Sequence, residues 1–374
     1  MNILALKQEI NNLLQNPLVY SVPFWVFSWV LMLMGGNGLI RWLKSLKGMK
    51  WSPREDTPDS HLQKAGTPSM GGLGIIGSTF LSWIAGLTLL FCLSTYASGT
   101  GSSPSPLWDL ATLNIFLVCV FAHCGLGFAD DWSKARGKGG LTSKAKLAGQ
   151  IVLALAFLVC VRQLLATAPA YIRQDEPHLL FGGFTLFLAS ILIIGTSNAV
   201  NLTDGIDGLA AGLSVQVGLV FSLLLVETMS LAEVGWFATT TECAWAALGG
   251  ACLGFLAFNK NPARVFMGDT GSLALGAALG AGAILTRAVF LLPFIGFIFY
   301  VEMFSVIAQV AYFKYTKRKT GEGKRIFRRA PLHHHFELGG WSEWRVVGTF
   351  WAVNALTTLL GLILWKMGIL PRFP

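Results

Sequence analysis

Five of the nine aspartates in this chain stand in three short runs: FADDW at 128–132, NLTDGIDG at 201–208 and FMGDTGS at 266–272. Asp130 and Asp131 are adjacent, so on a regular helix their side chains point about 100° apart, and both are expected to reach one ion only at a helix end or break. Two carboxylates about 4 Å apart repel by roughly 4 kcal/mol at an effective dielectric of about 20, a cost that a divalent cation removes. The plainer alternative is a solvated pair ending a helix. Asp204 and Asp207 are three apart, with Asn201 three residues earlier, which predicts a strip of amide and carboxylate groups on one helix face. Such a strip suits hydrogen bonding to a base or sugar, and the neighbouring glycines allow close approach. Its plainer alternative is helix capping by Thr203 or Asp204. Asp269 lies in NKNPARVFMGDTGSLALG, at the mouth of an apolar run. A carboxylate there suits a hard cation that takes oxygen ligands, the adjacent helix N-terminus suits phosphate, and an N-cap is again the alternative.

Two further clusters are HLQKAGTPSMGGLG at 61–74 and PLHHHFEL at 331–338. Lys64 fits a phosphate contact or a simple basic loop residue. Three consecutive histidines are poorly spaced for zinc, and phosphate contact or proton transfer is the better use of them. The chain has neither a phosphate loop of the G-x-x-x-x-G-K-[ST] type nor a strand-linked G-x-G-x-x-G, so nothing points to ATP hydrolysis. Six cysteines without a C-x-x-C pair read as small buried hydrophobes. Together these residues describe a magnesium-centred carboxylate site acting on a phosphorylated anion. The competing reading is a cation transporter with an acidic pathway. Against it, the carboxylates gather between spans, with Glu302 as the exception inside one, and no internal repeat is found.

The elements that must position these groups are membrane helices. The chain of 374 residues is 53% hydrophobic and 13% charged, with a mean hydropathy of +0.59. A bilayer-crossing helix needs roughly 20 apolar residues. Ten such stretches are predicted, at 18–40, 71–94, 110–129, 147–165, 182–200, 208–227, 242–258, 271–286, 289–312 and 346–365. They are too long and too evenly apolar for barrel strands, so the expected fold is an all-α integral membrane protein without further domain division. The stretch from Leu18 to Ile40 is too long for a signal-peptide core and is expected to remain as a span. Residues 1–16 suggest a short interfacial helix, 95–109 a Gly/Ser/Pro linker, and 166–181 a small hairpin.

The connections at 41–70, 130–146, 201–207, 259–270 and 313–345 hold 22 of the 28 Lys and Arg. The positive-inside rule therefore puts these five in the cytoplasm, with both termini outside and the active-site cleft on the cytoplasmic face. The net charge of +9 expresses that bias and attraction to anionic lipid, and requires no nucleic acid. A basic rim also concentrates anionic substrates.

Taken together, KAGTPSMGG, FADDW, NAVNLTDGIDGLAAG, NKNPARVFMGDTGSLALG and PLHHHFEL resemble, in order and over nearly the whole chain, the bacterial phospho-N-acetylmuramoyl-pentapeptide transferase (MraY) family. That family lies within the polyprenyl-phosphate N-acetylhexosamine 1-phosphate transferases, and PLHHHFEL favours the muramoyl branch over the N-acetylglucosamine branch. The resemblance implies ten transmembrane helices, a homodimer in the bacterial inner membrane, Mg²⁺ dependence, and transfer of phospho-MurNAc-pentapeptide from its UDP form to undecaprenyl phosphate. UMP would leave and lipid I would form. It implies Asp130 as the base on the lipid phosphate, Asp131 and Asp269 around Mg²⁺, and His333 as the essential first histidine. Lys64, Asn201, Asp204, Asn259 and Phe266 match positions of the nucleotide pocket, Phe266 being able to stack on uracil. Asp207, Lys138, Gln309, His334 and His335 are further members of the substrate site. The family usually reads GTPTMGG where this chain has Ser69; the hydroxyl is kept, so altered packing is expected without loss of chemistry. A groove for the polyprenyl tail is expected near Pro293, Gly296 and Glu302, where the ninth span is interrupted.

Overall fold

The computed structural model describes residues 17–46, 64, 66–98, 106–166, 183–228 and 235–371. The interfacial helix expected over residues 1–16 lies outside them, as do residues 99–105 of the expected 95–109 linker and the hairpin after Ala166; the two ends of that linker, 95–98 and 106–109, are helical instead. Among the described residues every regular element is helical. Ten helices are long: α1 (Pro17–Ser45), α2 (Gly72–Ser98), α3 (Pro106–Ala135), α4 (Ser143–Ala166), α5 (Gly183–Thr203), α6 (Leu209–Thr228), α7 (Gly235–Asn259), α8 (Gly268–Leu285), α10 (Phe297–Thr320) and α12 (Glu343–Lys366). The short α9 (Leu292–Ile295) and α11 (Leu332–Glu337) sit between the last of these. Among the described residues, eight of the long helices are apolar enough over sufficient length to cross a membrane, and α2 and α6 carry shorter apolar stretches. The protein is thus an α-helical membrane protein.

In lipid the hydrophobic effect cannot draw one apolar helix to another, so small residues that let backbones approach decide the packing. The central helices α7 and α8 are buried along most of their length, whereas α1, α4, α10 and α12 keep large exposed apolar faces. Helix α8 reads GDTGSLALGAALGAGAIL, and its glycine and alanine surface receives α3 and α5. A Cβ added at Gly127 of α3 would lie 2.0 Å from the backbone oxygen of Asp269. One at Gly72 of α2 would lie 2.3 Å from the Cα of Gly271. Both crossings bear directly on the site, because they fix where the N-terminus of α8 stands.

The ninth expected span departs most from its prediction. Instead of one helix over 289–312, a 3₁₀ turn at Val289–Leu291 leads into α9, the chain bends at Gly296, and α10 then continues to Thr320. Pro293 at the start of α9 and Gly296 after it account for the break. Asn354 of α12 covers the freed backbone: its Nδ2 donates to the carbonyl of Ile295 (3.1 Å) and its Oδ1 accepts from the N–H of Ile298 (3.2 Å). Helix α10 carries Lys314, Lys317, Arg318 and Lys319 along its last turns, residues expected in a loop, and Gly321 ends it in the left-handed conformation at φ 80°.

All six cysteines are free thiols; Cys119, Cys124, Cys243 and Cys252 are buried as expected, whereas Cys92 and Cys160 are exposed.

Candidate active site

The ends of α3, α5 and α8 meet Lys64 and the segments at 66–71, 136–142, 204–208, 260–267 and 323–342. The closeness is direct: Phe266 N–H donates to the carbonyl of Pro68 (2.8 Å), and Gly71 N–H donates to that of Phe266 (2.8 Å). The described parts of the five connections grouped by their basic residues, residues 64 and 66–70 of the first among them, therefore gather around one place.

Asp130, Asp131 and Asp269 form its centre, with a carboxylate oxygen from each lying within 4.8 Å of the others. Asp130 and Asp131 lie in the last turn and a half of α3, which stays helical through Ala135, so of the two expected settings, a helix end or a break, it is the end that applies. The two side chains diverge and still border one space, since the third carboxylate comes from the facing helix. Asp131 turns to the N-terminus of α8. It accepts from the N–H of Thr270 (3.0 Å), the hydroxyl of Thr270 (2.7 Å) and the N–H of Asp269 (3.3 Å). It thereby covers donors that α8 leaves open, Met267 offering no side-chain cap. Asp269 is consequently no N-cap; it stands in the first turn of α8 with its oxygens engaged by Asn201 and two lysines.

Asp130 turns the other way. Its Oδ1 accepts from the N–H of Leu141 (2.7 Å), and its Oδ2 faces the ammonium groups of Lys134 (2.5 Å) and Lys146 (3.1 Å). Both lysines also reach Asp269 Oδ2, at 3.0 Å and 2.5 Å, while Asn201 Nδ2 donates to Asp269 Oδ1 at 2.8 Å and to Ser272. Three carboxylates facing two ammoniums leave an excess of one negative charge. Hard oxygen donors of this kind at one locus fit a divalent cation such as Mg²⁺ or Mn²⁺. Ser69 borders the same place: a Cβ at Gly268, whose φ is 73°, would lie 2.5 Å from Asp131 Oδ2 and 2.7 Å from Ser69 Oγ.

The expected strip of Asn201, Asp204 and Asp207 on one helix face does not form. Helix α5 ends at Thr203, and residues 204–208 make a turn in which Gly208 adopts φ 82°. Thr203 is no cap either, its hydroxyl donating back to Ala199. The aspartates separate. Enclosure, then the charges of Asp269 and Asp131, push the Asp204 carboxyl well above the usual range, partly offset by the N–H of Gly268. Asp207 accepts instead from Lys64 Nζ (2.8 Å), Asn261 Nδ2 (3.1 Å) and the N–H of Ala263 (2.9 Å). Glu343, at the start of α12, takes the same lysine at 2.6 Å and the N–H of Asp207 at 2.7 Å.

Several expected substrate residues hold backbone in this structure. Asn259 accepts from the N–H of Gly208 and donates to the carbonyl of Val265, both at 3.0 Å. Gln309 accepts from the N–H groups of Ile326 and Phe327 and donates to the carbonyl of Phe327. Lys138 is exposed in the turn after α3, and Phe266 is half-buried. The three histidines divide their tasks. His333 is buried against Glu302, His334 pairs with Glu337 through Nδ1 (2.8 Å), and His335 Nδ1 accepts from the N–H of Arg328 (3.1 Å). Lys134, Lys146, Thr270, Glu302 and Glu343 complete the site, and the sequence reading had not assigned them to it. The signal for Lys134 was present, four residues after Asp130 on one helix; the other contacts arise only in tertiary structure.

Fold and site together define a polytopic α-helical membrane protein with a metal-capable acidic centre fenced by lysines. The family model for glycosyl transferase family 4 matches residues 113–287, which hold all three central aspartates. The phospho-N-acetylmuramoyl-pentapeptide transferase of Halalkalibacterium halodurans is 42% identical, over 91% of this chain and 95% of its own length. Those of Shouchella clausii and Moorella thermoacetica are each 41% identical, over 90% and 91% of this chain and 97% and 96% of theirs. The chain belongs to the phospho-N-acetylmuramoyl-pentapeptide transferase family, and is an enzyme of the transferase class.

Proposed function

We propose that the Asp130, Asp131 and Asp269 centre transfers phospho-MurNAc-pentapeptide from its UDP form to undecaprenyl phosphate, giving lipid I and UMP in peptidoglycan synthesis. The observation that carries the assignment of the chemistry to this place is the meeting of three carboxylates and two lysines where α3 and α8 cross. Asp131 and Asp269 are the residues that would hold Mg²⁺, whose charge would offset that of the pyrophosphate and make UMP a better leaving group.

The chain's own residues do the rest. Both oxygens of Asp130 are engaged, so taking the proton of the lipid phosphate requires Lys134 or Lys146 to let go of Oδ2. A released ammonium is then available to a phosphate oxygen, which couples arrival of the anion to exposure of the base. The deprotonated lipid phosphate attacks the β-phosphorus, and the bond from that phosphorus to the bridging oxygen of UMP breaks. This direct route needs no nucleophile beyond the lipid, and isolation of a competent phospho-aspartyl enzyme would contradict it. Phe266 is assigned to the uracil face, with Lys64, Ser69, Lys138, Asn201 and Asp204 around the nucleotide and phosphates. Asp207, Asn259, Gln309 and His335 shape the surrounding walls through the backbone they hold.

Ten long helices and the distribution of Lys and Arg support ten crossings, both termini outside, and a site open to the cytoplasm of a bacterial inner membrane. The motif resemblance adds a homodimer to this reading. The decisive assay uses purified protein in mild detergent with Mg²⁺ and undecaprenyl phosphate, and follows UMP release from UDP-MurNAc-pentapeptide and UDP-GlcNAc in parallel. Lipid-dependent release from the first alone, lost in Asp130→Asn, is expected. Release from UDP-GlcNAc would move the enzyme to the sister branch, and release from neither by folded protein would overturn the reading.

A further inference from the structure

Glu302 stands inside α10 and is fully buried, as is the His333 side chain that it faces. An ionisable side chain at such a depth is expensive unless a partner engages it. Here the partner is engaged at two atoms: the backbone N–H of His333 donates to Oε1 (3.0 Å), and Nδ1 of the same residue lies 3.2 Å from Oε2. The other ring nitrogen, Nε2, is buried and has no hydrogen-bond partner among the described residues. It points at the turn that follows Asp204. A Cβ added at Gly205 would lie 2.3 Å from Nε2, so only a residue without a side chain lets the ring come so near. Gly205 itself is exposed, which leaves one layer of backbone between Nε2 and the outside.

We infer that Glu302 is a positioning residue for the transfer, holding His333 in the Nδ1–H form so that Nε2 offers a lone pair to a hydroxyl or amide N–H of the phosphosugar substrate. A carboxylate only accepts, so the proton shared with His333 sits on Nδ1, and Nε2 of the neutral ring is left as an acceptor. A buried acceptor without a donor carries a desolvation penalty, which a donor from the substrate removes when the 204–208 turn shifts. The inference rests on the transferase reading of the site, but its physical core is measurable without turnover.

Glu302→Gln is the informative variant. Glutamine meets the same two contacts only with its carbonyl on the backbone N–H and its NH₂ on Nδ1, which transfers the ring proton to Nε2. In full-length protein carrying ¹⁵N-histidine, the His333 signals, identified by their loss in His333→Gln, are expected to change from the Nδ1–H to the Nε2–H pattern. The kcat is expected to fall about tenfold or more, with KM for the UDP-sugar held within about twofold. Combined with His333→Gln, the substitution should add no further loss. Glu302→Asp keeps the acceptor and should retain Nδ1–H with part of the activity, which preserves the test if the Gln variant does not fold. Gly205→Ala should lower kcat with the tautomer unchanged. An unchanged kcat in Glu302→Gln or Gly205→Ala, an Nε2–H ring in the wild type, or losses that multiply in the double variant would each overturn the inference. Absence of UMP release by the wild type would instead strike the transferase reading, while the tautomer would still decide what Glu302 does.

Discussion

Asp131 serves two purposes with one carboxylate, since it borders the acidic centre and also receives the first N–H groups of α8. Asp131→Asn loses the charge and turns one acceptor into a donor facing Thr270. Its expected effects are a loss of about 10²- to 10³-fold in kcat, by analogy with removal of a single charge-stabilising group, and a stability loss of about 1–3 kcal/mol from the uncapped donors. Activity and thermal unfolding in detergent measure the two separately. His334 makes a pH prediction. Burial lowers its basicity below the usual 6.5, against the raising influence of Glu337. The folded protein thus binds this proton less readily than the unfolded chain, and stability is full above pH about 6.5 and declines as pH falls below it toward the lower folded value. The difference in melting temperature between wild type and His334→Gln should be constant above that pH, set by the altered Glu337 contact, with the variant losing less below it. At this scale the motifs exposed the acids and the histidines. Lys146 and Glu343 stayed hidden because a lysine in a basic loop looks like any other inside-positive residue, and a glutamate opening a helix looks like dipole chemistry.

Helices α3 and α8 position the acids by touching at Gly127, where the backbone of Asp269 occupies the space of a side chain. Gly127→Leu should therefore push α8 away and separate the carboxylates. The expected result is about 1–3 kcal/mol of lost stability from overpacking, together with loss of metal binding, read by thermal unfolding and by Mn²⁺ titration. A variant with wild-type stability would show that the contact is dispensable. Most helices were legible because apolar length is a strong signal, although helices such as α3 and α10 run past the apolar stretch into polar sequence. The break in the ninth span was signalled by Pro293 and Gly296, but its repair by Asn354 was not, since that partner lies 56 residues from Ile298. The Asp204 and Asp207 strip failed for a related reason. Three-residue spacing implies a shared face only while the helix continues, and α5 stops at Thr203, before either aspartate, with Gly208 taking φ 82° in the turn that follows.

For the whole molecule, the grouping of basic connections by charge anticipated which segments assemble around the acids. If that grouping also reports sidedness, Lys138→Cys should be labelled by an impermeant maleimide in inside-out vesicles and Met367→Cys only in right-side-out ones. Labelling of both from one side would contradict the topology. Exposed apolar faces on α1, α4, α10 and α12 follow from the same setting, since lipid solvates them as water would not.

The most direct measurement of the central claim is Mn²⁺ binding by electron paramagnetic resonance, without substrate, to the wild type, Asp131→Asn and Asp269→Asn. One bound Mn²⁺ in the wild type and a loss of affinity of about 10-fold or more in each variant is the predicted result. Equal Mn²⁺ binding in all three folded proteins would contradict the account, because the metal would then belong elsewhere and these carboxylates would be only the cap and counter-ions of α8.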